Sequence, residues 1–103
     1  MKKEDLLEYL QHHCRGRGQA MSSRDLERKL RVSEKELRRQ INRLRQDGFP
    51  IASGRNGYYC AQTAGEIYGT IQILKKMRAG IDRVITGLEG TLDSFAGGGD
   101  SYR

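Results

Sequence analysis

The sequence lacks the features that mark membrane-spanning and secreted proteins. It has 103 residues, with two cysteines and one proline. It contains no uninterrupted apolar run of the roughly 20 residues needed to cross a bilayer. The first ten residues, MKKEDLLEYL, carry acids where a secretory signal needs an apolar centre. We therefore expect a small cytoplasmic protein without a membrane partner.

Patterns typical of enzymes and metal sites are also missing. Cys14 and Cys60 do not form a disulfide framework without a secretory context. His12, His13 and Cys14 are adjacent, but they lack the paired-ligand spacing of a zinc site. No phosphate-binding loop, dinucleotide fingerprint or nucleophile–base arrangement is present. The expectation is a protein that is not an enzyme and has no metal or cofactor.

Positive charge is concentrated in the first part of the chain. Residues 1–60 contain 14 Lys or Arg and 8 Asp or Glu, whereas residues 61–103 contain five of each kind. The whole net charge of +6 therefore belongs to the first part. Such asymmetry favours a polyanionic partner, most simply nucleic acid. A membrane surface is less favoured because no large apolar residues interrupt the basic face.

The stretch from Ser33 to Gly48 predicts a helix with two different faces. Ser33 and Glu36 form a capping-box pattern, and Gly48 marks the end. The buried face is predicted at Leu37, Ile41 and Leu44. The opposite face carries cations and amides, which can pair with guanine, adenine and phosphate: Lys35, Arg39, Asn42, Arg43 and Gln46.

The remaining elements of residues 1–62 follow in a recognisable order. Residues 3–13 read as a first helix, and Gln19–Met21 as a short extended piece. A second helix begins at Ser22 or Ser23 and ends near Arg31, followed by the turn of about three residues seen in helix-turn-helix motifs. Phe49–Ser53 and Tyr58–Ala61 read as a hairpin around an Asn-Gly step. The predicted fold is mainly α with a small hairpin, in the order α-β-α-α-β-β.

This pattern resembles a known family. The residues that carry it are Ser22, Leu26, Leu30 to Ser33, Leu37, Ile41, Leu44-Arg45, Gly48 and Gly57-Tyr58. Together they are similar to the N-terminal winged helix of the bacterial biotin-operon repressor and to DeoR-like domains. Small helix-turn-helix proteins of phages share the Gly-Tyr-Tyr-x-Ala-x-Thr ending at Gly57–Thr63. The resemblance implies DNA binding with the third helix in the major groove. No ligase domain follows, so biotin chemistry is not implied.

Two further groups of residues complete the predicted DNA interface. Ser23 and Arg24 open the second helix, where amides and a cation can hold the phosphate backbone. Arg55 and Asn56 lie at the tip of the hairpin, where they would meet the minor groove or its phosphates. Double-stranded DNA is accordingly the expected partner.

Residues 63–96 predict a long helix for self-association. Thr63 and Glu66 form a capping-box pattern, and apolar residues then alternate by four and three. The seam comprises Ile67, Ile71, Leu74, Arg78, Ile81, Ile85, Leu88, Leu92 and Phe95. Isoleucine at 71 and 85 with leucine at 74 and 88 suits a parallel dimer, whereas isoleucine at 67 and 81 does not. Folding back at Gly80 is the alternative, and residues 97–103 are expected to form a flexible tail.

The favoured interpretation is a dimeric transcriptional regulator of bacterial or phage type. A second hypothesis is a phage DNA-metabolism factor, such as a replication protein or a terminase small subunit, for which an assembly larger than a dimer would speak. A third is a protein-interaction adaptor, for which an absence of salt-sensitive DNA binding would speak.

Overall fold

The chain is mainly helical, with one antiparallel hairpin and a long C-terminal helix, as predicted. The computed structural model describes residues 1–95. The predicted tail at 97–103 lies outside the described residues. The elements are α1 (Lys3–His13), a short 3-10 helix (Arg17–Gln19), α2 (Ser23–Leu30), α3 (Glu34–Gln46), β1 (Ile51–Gly54), β2 (Gly57–Cys60) and α4 (Ala64–Thr91).

Serine caps fix the starts of α2 and α3. The Ser22 hydroxyl accepts from the Asp25 amide at 3.1 Å, and the Ser33 hydroxyl accepts from the Glu36 amide at 3.0 Å. These bonds satisfy amides that have no partner within their own helix. Residues 31–33 form the three-residue turn between the helices, and Arg31 enters it in the left-handed region at φ 56°. The predicted helix-turn-helix connection is confirmed.

The capping-box prediction for α3 was wrong in its second half. The Glu36 carboxylate does not return to the Ser33 amide. It accepts instead from Arg39 and from the Gln40 amide nitrogen, the latter at 2.9 Å. Partners one turn further along the same helix outcompete the cap because their side chains lie on the same face.

The hairpin begins later than the sequence suggested. The Ile51 amide donates to the Phe49 carbonyl at 2.9 Å, so a tight turn around Pro50 precedes β1. The strands pair antiparallel, with Ile51 opposite Cys60 and Gly54 opposite Gly57. β1 therefore starts two residues after the start of the predicted strand at 49–53. β2 starts one residue before the start of the predicted strand at 58–61.

A third segment joins the hairpin through a single bridge. Met21 exchanges both backbone hydrogen bonds with Tyr58, at 3.0 and 2.9 Å. The prediction of an extended piece at Gln19–Met21 was only partly right, since the 3-10 helix occupies residues 17–19. Arg15 and Cys60 form a second bridge, which was not predicted.

The core lies among α1, α2, α3 and the hairpin. Its buried members include Leu6, Leu10, Leu26, Leu37, Ile41, Leu44, Ile51, Ala52 and Tyr59, together with Cys14 and Cys60. Burial raises the pKa of both thiols. The Cys60 amide donates to the Cys14 carbonyl at 2.7 Å, so the two cysteines connect the end of α1 to the hairpin.

The chain forms two compact units, Met1–Ile71 and a second that begins at Gln72. We call Met1–Ile71 the head. Its last element is the first part of α4, where Ile67 packs against the core and Thr70 is buried. No helix among residues 1–95 is long and apolar enough to cross a membrane.

Candidate nucleic-acid interface

The outer face of α3 is exposed. Leu37, Gln40, Ile41 and Leu44 are buried on the inner face. Because side chains three and four residues apart share a face, the residues between them are turned outward. The predicted readers all lie on that exposed side: Lys35, Arg39, Asn42, Arg43 and Gln46.

Acidic residues near this face are held by cations and are not free to repel an anion. Glu36 pairs with Arg39, and Asp47 pairs with Lys3 from α1. Arg39 must therefore release Glu36 to meet DNA. Ion pairs at a protein surface are weak, so the exchange is inexpensive. Lys35 and Arg43 form no ion pair within residues 1–95.

Arg45 connects α3 to the hairpin, a role the sequence reading did not assign. Its Nε donates to the Ile51 carbonyl at 2.8 Å, and a terminal nitrogen donates to the Ser53 hydroxyl at 3.1 Å. The guanidinium carbon lies 5.9 Å from the centre of the Tyr58 ring. Burial lowers the pKa of Arg45. The feature of the sequence that could have indicated this role is the position of Arg45 on the helical wheel, beside the buried face of α3.

The hairpin tip presents Arg55 and Asn56, both exposed, in a two-residue turn. Gly57, which follows, has a φ of 120°. A Cβ there would lie 2.1 Å from the Met21 carbonyl oxygen. Only glycine allows the hairpin to approach the third segment this closely. Asn-Gly correctly predicted a turn, but the glycine's second function is this close approach.

The start of α2 is less free than its sequence suggests. The Ser23 hydroxyl donates to the Glu27 carboxylate at 2.7 Å, so that side chain is already engaged. Arg24 is exposed and has no ion pair within the described part of the chain. No hydrogen bond or ion pair among residues 1–95 joins the three predicted groups on α2, α3 and the hairpin tip.

The first turns of α4 hold the hairpin from its other side. Thr70 Oγ1 accepts from the Ser53 amide at 3.1 Å and contacts the Ser53 carbonyl at 3.3 Å. The Glu66 carboxylate accepts from the amides of Gln62, at 2.7 Å, and Arg17, at 3.0 Å. These two backbone donors lower the pKa of that carboxyl. One half of the predicted capping box is present, since the Glu66 amide donates to Thr63 Oγ1 at 3.2 Å. In the other half, the Glu66 carboxylate accepts from the Gln62 amide and not from the Thr63 amide.

The predicted seam of α4 divides at the end of the head. Ile67 is half-buried and packs on the core, whereas the apolar members from Ile71 onward are exposed. Met77, Val84 and Ile73 extend the exposed apolar area. The remaining predicted seam residues are Leu74, Arg78, Ile81, Ile85, Leu88 and Leu92. A continuous α-helix carries the seam through Gly80 as far as Thr91, without the break that the fold-back alternative requires.

No group of three or more His, Cys, Asp or Glu side chains in residues 1–95 is arranged to hold a metal ion. Comparison of the chain with protein-family models, with curated proteins and with solved structures finds no match in any of the three.

Proposed function

We propose that this protein binds double-stranded DNA sequence-specifically as a homodimeric transcriptional regulator of bacterial or phage type. The observation that carries the proposal is the outer face of α3. It presents cations and amides at the second helix of a helix-turn-helix, directly after a three-residue turn. In this motif the second helix enters the major groove, whose base edges such side chains recognise.

In the proposed complex, some side chains contact base edges and others contact the phosphate backbone. Asn42 and Gln46 can pair with adenine, and Arg43 can pair with guanine. Lys35, Arg39 and Arg24 supply positive charge for phosphates. Arg55 at the hairpin tip would enter the adjacent minor groove or meet its phosphates. Since residues 1–60 hold the entire net charge of the chain, this part is also the one that approaches DNA first.

The dimer is proposed from the exposed stripe on α4. Seven apolar side chains between Ile71 and Leu88 are exposed by 41% to 64%: Ile71, Leu74, Met77, Ile81, Val84, Ile85 and Leu88. Full burial of one such side chain stabilises by about 1.5–3 kcal/mol. Pairing with a second copy is the simplest way to cover a stripe of this length. A two-fold dimer would prefer an inverted repeat in its DNA site.

Selection from a random duplex library, with assembly mass measured alongside, tests the proposal. We expect an enriched inverted repeat and a mass of two chains. Affinity for the enriched site should fall steeply with salt, since each neutralised phosphate contributes a slope of about −0.9 in log K against log salt. A flat salt dependence, or no enriched sequence, would remove DNA as the partner and favour a protein-interaction adaptor. A ring of more than two chains would favour a phage DNA-packaging factor.

A cytoplasmic location follows from the proposed role, because the DNA of a bacterial cell lies there.

A variant of the outer face with Lys35, Asn42 and Arg43 changed to alanine serves as the negative control for the selection. It removes exposed groups that form no ion pair within residues 1–95, so the fold should be preserved. Enrichment of the same sequence by this variant would contradict the assignment of α3 as the reader.

A further inference from the structure

The charged residues along the exposed part of α4 are arranged asymmetrically about its apolar stripe. In a heptad register with Ile71, Arg78 and Ile85 at a, one flank (position e) carries Lys75, Asp82 and Glu89. The other flank (position g) carries Met77 and Val84 and no charge. Arg78 stands within the stripe itself. The two flanks therefore require different surroundings in any pairing.

None of these charges is satisfied within its own helix. Arg78 and Asp82 are four residues apart, a spacing that allows an ion pair on a helix. Yet the ion pairs among residues 1–95 all lie in the head, and Lys75, Arg78 and Asp82 take part in none. A partner that covers the stripe can supply the opposite charges that the helix itself does not provide.

A parallel, in-register pair of α4 helices fits this pattern poorly. Position a meets position a, so Arg78 would face Arg78 of the partner subunit in the middle of the seam. Position g meets the partner's position e, so Met77 would lie beside the partner's Asp82. Two like charges would be enclosed, and a carboxylate would be placed against an apolar side chain.

We propose that α4 pairs with a second copy of itself in the antiparallel direction, centred between Ala79 and Gly80. Reversing one helix brings e against e and g against g. In this register Ile71 lies opposite Leu88 of the partner subunit, and Leu74 opposite the partner's Ile85. Arg78 lies opposite the partner's Ile81 and beside the partner's Asp82.

Both flanks are matched by this arrangement. Lys75 meets Asp82 of the partner subunit, and two-fold symmetry makes the contact twice. Met77 meets the partner's Val84 on the other side, so the uncharged flank is covered by apolar atoms. Charge complementarity at the flanks is the usual determinant of helix direction in coiled coils.

A shift of one heptad within the antiparallel arrangement is disfavoured in either direction. One shift brings Lys75 and Arg78 to the partner's Glu89, but it places Asp82 directly against the partner's Asp82 at the centre of the dimer. The other places Arg78 opposite the partner's Leu74 and next to the partner's Lys75. Each shift sets like charges together, and the register centred at 79 and 80 is the one that avoids both.

This inference rests on the proposed dimer and adds its direction. The two points at which α4 leaves the head, at Ile71 in each chain, would lie 17 residues apart along the paired helices. At 1.5 Å per residue this is about 26 Å. A parallel pair would instead bring the two points side by side.

Distances between paired spin labels test the direction in the absence of DNA. The probe is a nitroxide on Gly90→Cys, an outer position with open space around it. The antiparallel register separates the two labels by about 32 Å along the axis, whereas a parallel pair holds them within about 20 Å. The matched control is Ala79→Cys near the centre, whose two labels stay close in either direction. Cys14 and Cys60 are buried, and the unsubstituted protein measures their background labelling.

The outcomes separate the two proposals. A long distance at residue 90 with a short one at residue 79 supports the antiparallel pair. Short distances at both overturn the direction and leave the dimer standing. No dipolar coupling at either position, with a monomer mass, overturns the dimer itself, whereas DNA selection is a separate measurement that can still succeed.

Charge reversal at the proposed contacts gives a second, independent test of the antiparallel pairing. In the antiparallel pair, the lysine introduced in each chain by Asp82→Lys would face Lys75 and Arg78 of the partner subunit. We therefore expect the dissociation constant of the dimer to rise at least tenfold. Changing Lys75 and Arg78 to Asp in the same chain should restore dimerisation. Asp93→Lys, which changes the same charge outside the pairing, is the control. An unchanged dimer constant for Asp82→Lys would contradict the proposed contacts.

Discussion

Arg45 Nε donates to the Ile51 carbonyl oxygen at 2.8 Å, joining the last turn of α3 to the first residue of β1. The same guanidinium reaches Ser53 on that strand. A cation enclosed in this way sets the orientation of the hairpin relative to the helix proposed to read DNA. The arginine thus belongs to the framework of the interface, although it is a basic residue on the same helix as the readers.

Removal of the Arg45 guanidinium should destabilise the head. Arg45→Met keeps the aliphatic stem but leaves the half-buried polar groups of Ile51 and Ser53 without this donor. We expect a loss of about 2 kcal/mol in the free energy of unfolding, measured by denaturant titration. Arg38→Met is the control, since Arg38 is exposed and its one ion pair within residues 1–95 is with Glu34. Equal stability of the two variants would contradict a framework role for Arg45.

Gly57→Ala should be among the most damaging small substitutions in the chain. The new methyl group would meet the Met21 carbonyl oxygen at 2.1 Å, so the bridge between the third segment and the hairpin must open. We expect a destabilisation of about 2–4 kcal/mol. Gly54→Ala, at the other end of the turn, has open space around its Cβ and should change stability little. Thermal unfolding of both proteins provides the comparison.

Substitutions on α3 and on the hairpin tip should affect DNA binding differently. Asn42→Ala or Arg43→Ala should each weaken binding to the selected site by about 1–3 kcal/mol and relax the preference at one base pair. Arg55→Ala should weaken all sequences alike. Lys76→Ala, beyond the head, is the control for loss of one positive charge. Fluorescence anisotropy with a panel of singly changed duplexes measures both effects. Retained preference in Arg43→Ala would show that this side chain does not read bases.

A charge placed in the exposed stripe of α4 should abolish the dimer. Ile85→Asp would enclose a carboxylate in an apolar seam, and light scattering should then give the mass of one chain. Arg83→Asp introduces the same charge on an outer position and should remain dimeric. The monomer should also bind the inverted repeat far more weakly, because the second head is no longer tethered. A dimeric Ile85→Asp protein would exclude the stripe as the interface.

Stability should depend on the ionised Glu66 carboxylate at acidic pH. The Gln62 and Arg17 amides hold its pKa below the usual value of 4.5, so the unfolded chain binds the proton more readily. Its contribution is therefore complete above about pH 4.5 and is lost as pH falls through the lower pKa of the folded state. Glu66→Gln should be less stable than the parent at pH 7, with the difference shrinking towards pH 3. Glu89→Gln, in the second unit, is the matched control for the loss of one carboxylate.

Elements set by local chemistry could be predicted from the sequence. Ser22 and Ser33 give the starts of α2 and α3, and Gly48 gives the end of α3, because caps and terminal glycines act within a few residues. The periodicity of Leu37, Ile41 and Leu44 likewise identified the buried face. The outer-face residues followed from it by geometry alone.

Features that depend on distant residues could not be predicted in the same way. The Arg45 contacts require the strand that follows the helix, and the destination of the Glu66 carboxylate is the Arg17 amide, 49 residues away. Gln40 was not among the residues predicted for the buried face, although it is buried there. Its amide nitrogen donates to the Met1 carbonyl at 3.0 Å, a partner that only the folded chain supplies.

The bridge between Met21 and Tyr58 also bears on the order of folding. These residues are separated by 37 positions, so their pairing closes a large loop that contains both helices of the helix-turn-helix. Loop closure of this kind slows folding relative to helix formation. A fragment that ends after α3 would lack this pairing, so we expect it to be less stable than the head. During synthesis the helix-turn-helix would acquire this pairing only once the hairpin has emerged, and a chain cut after α3 would expose the Met21 backbone without its partner.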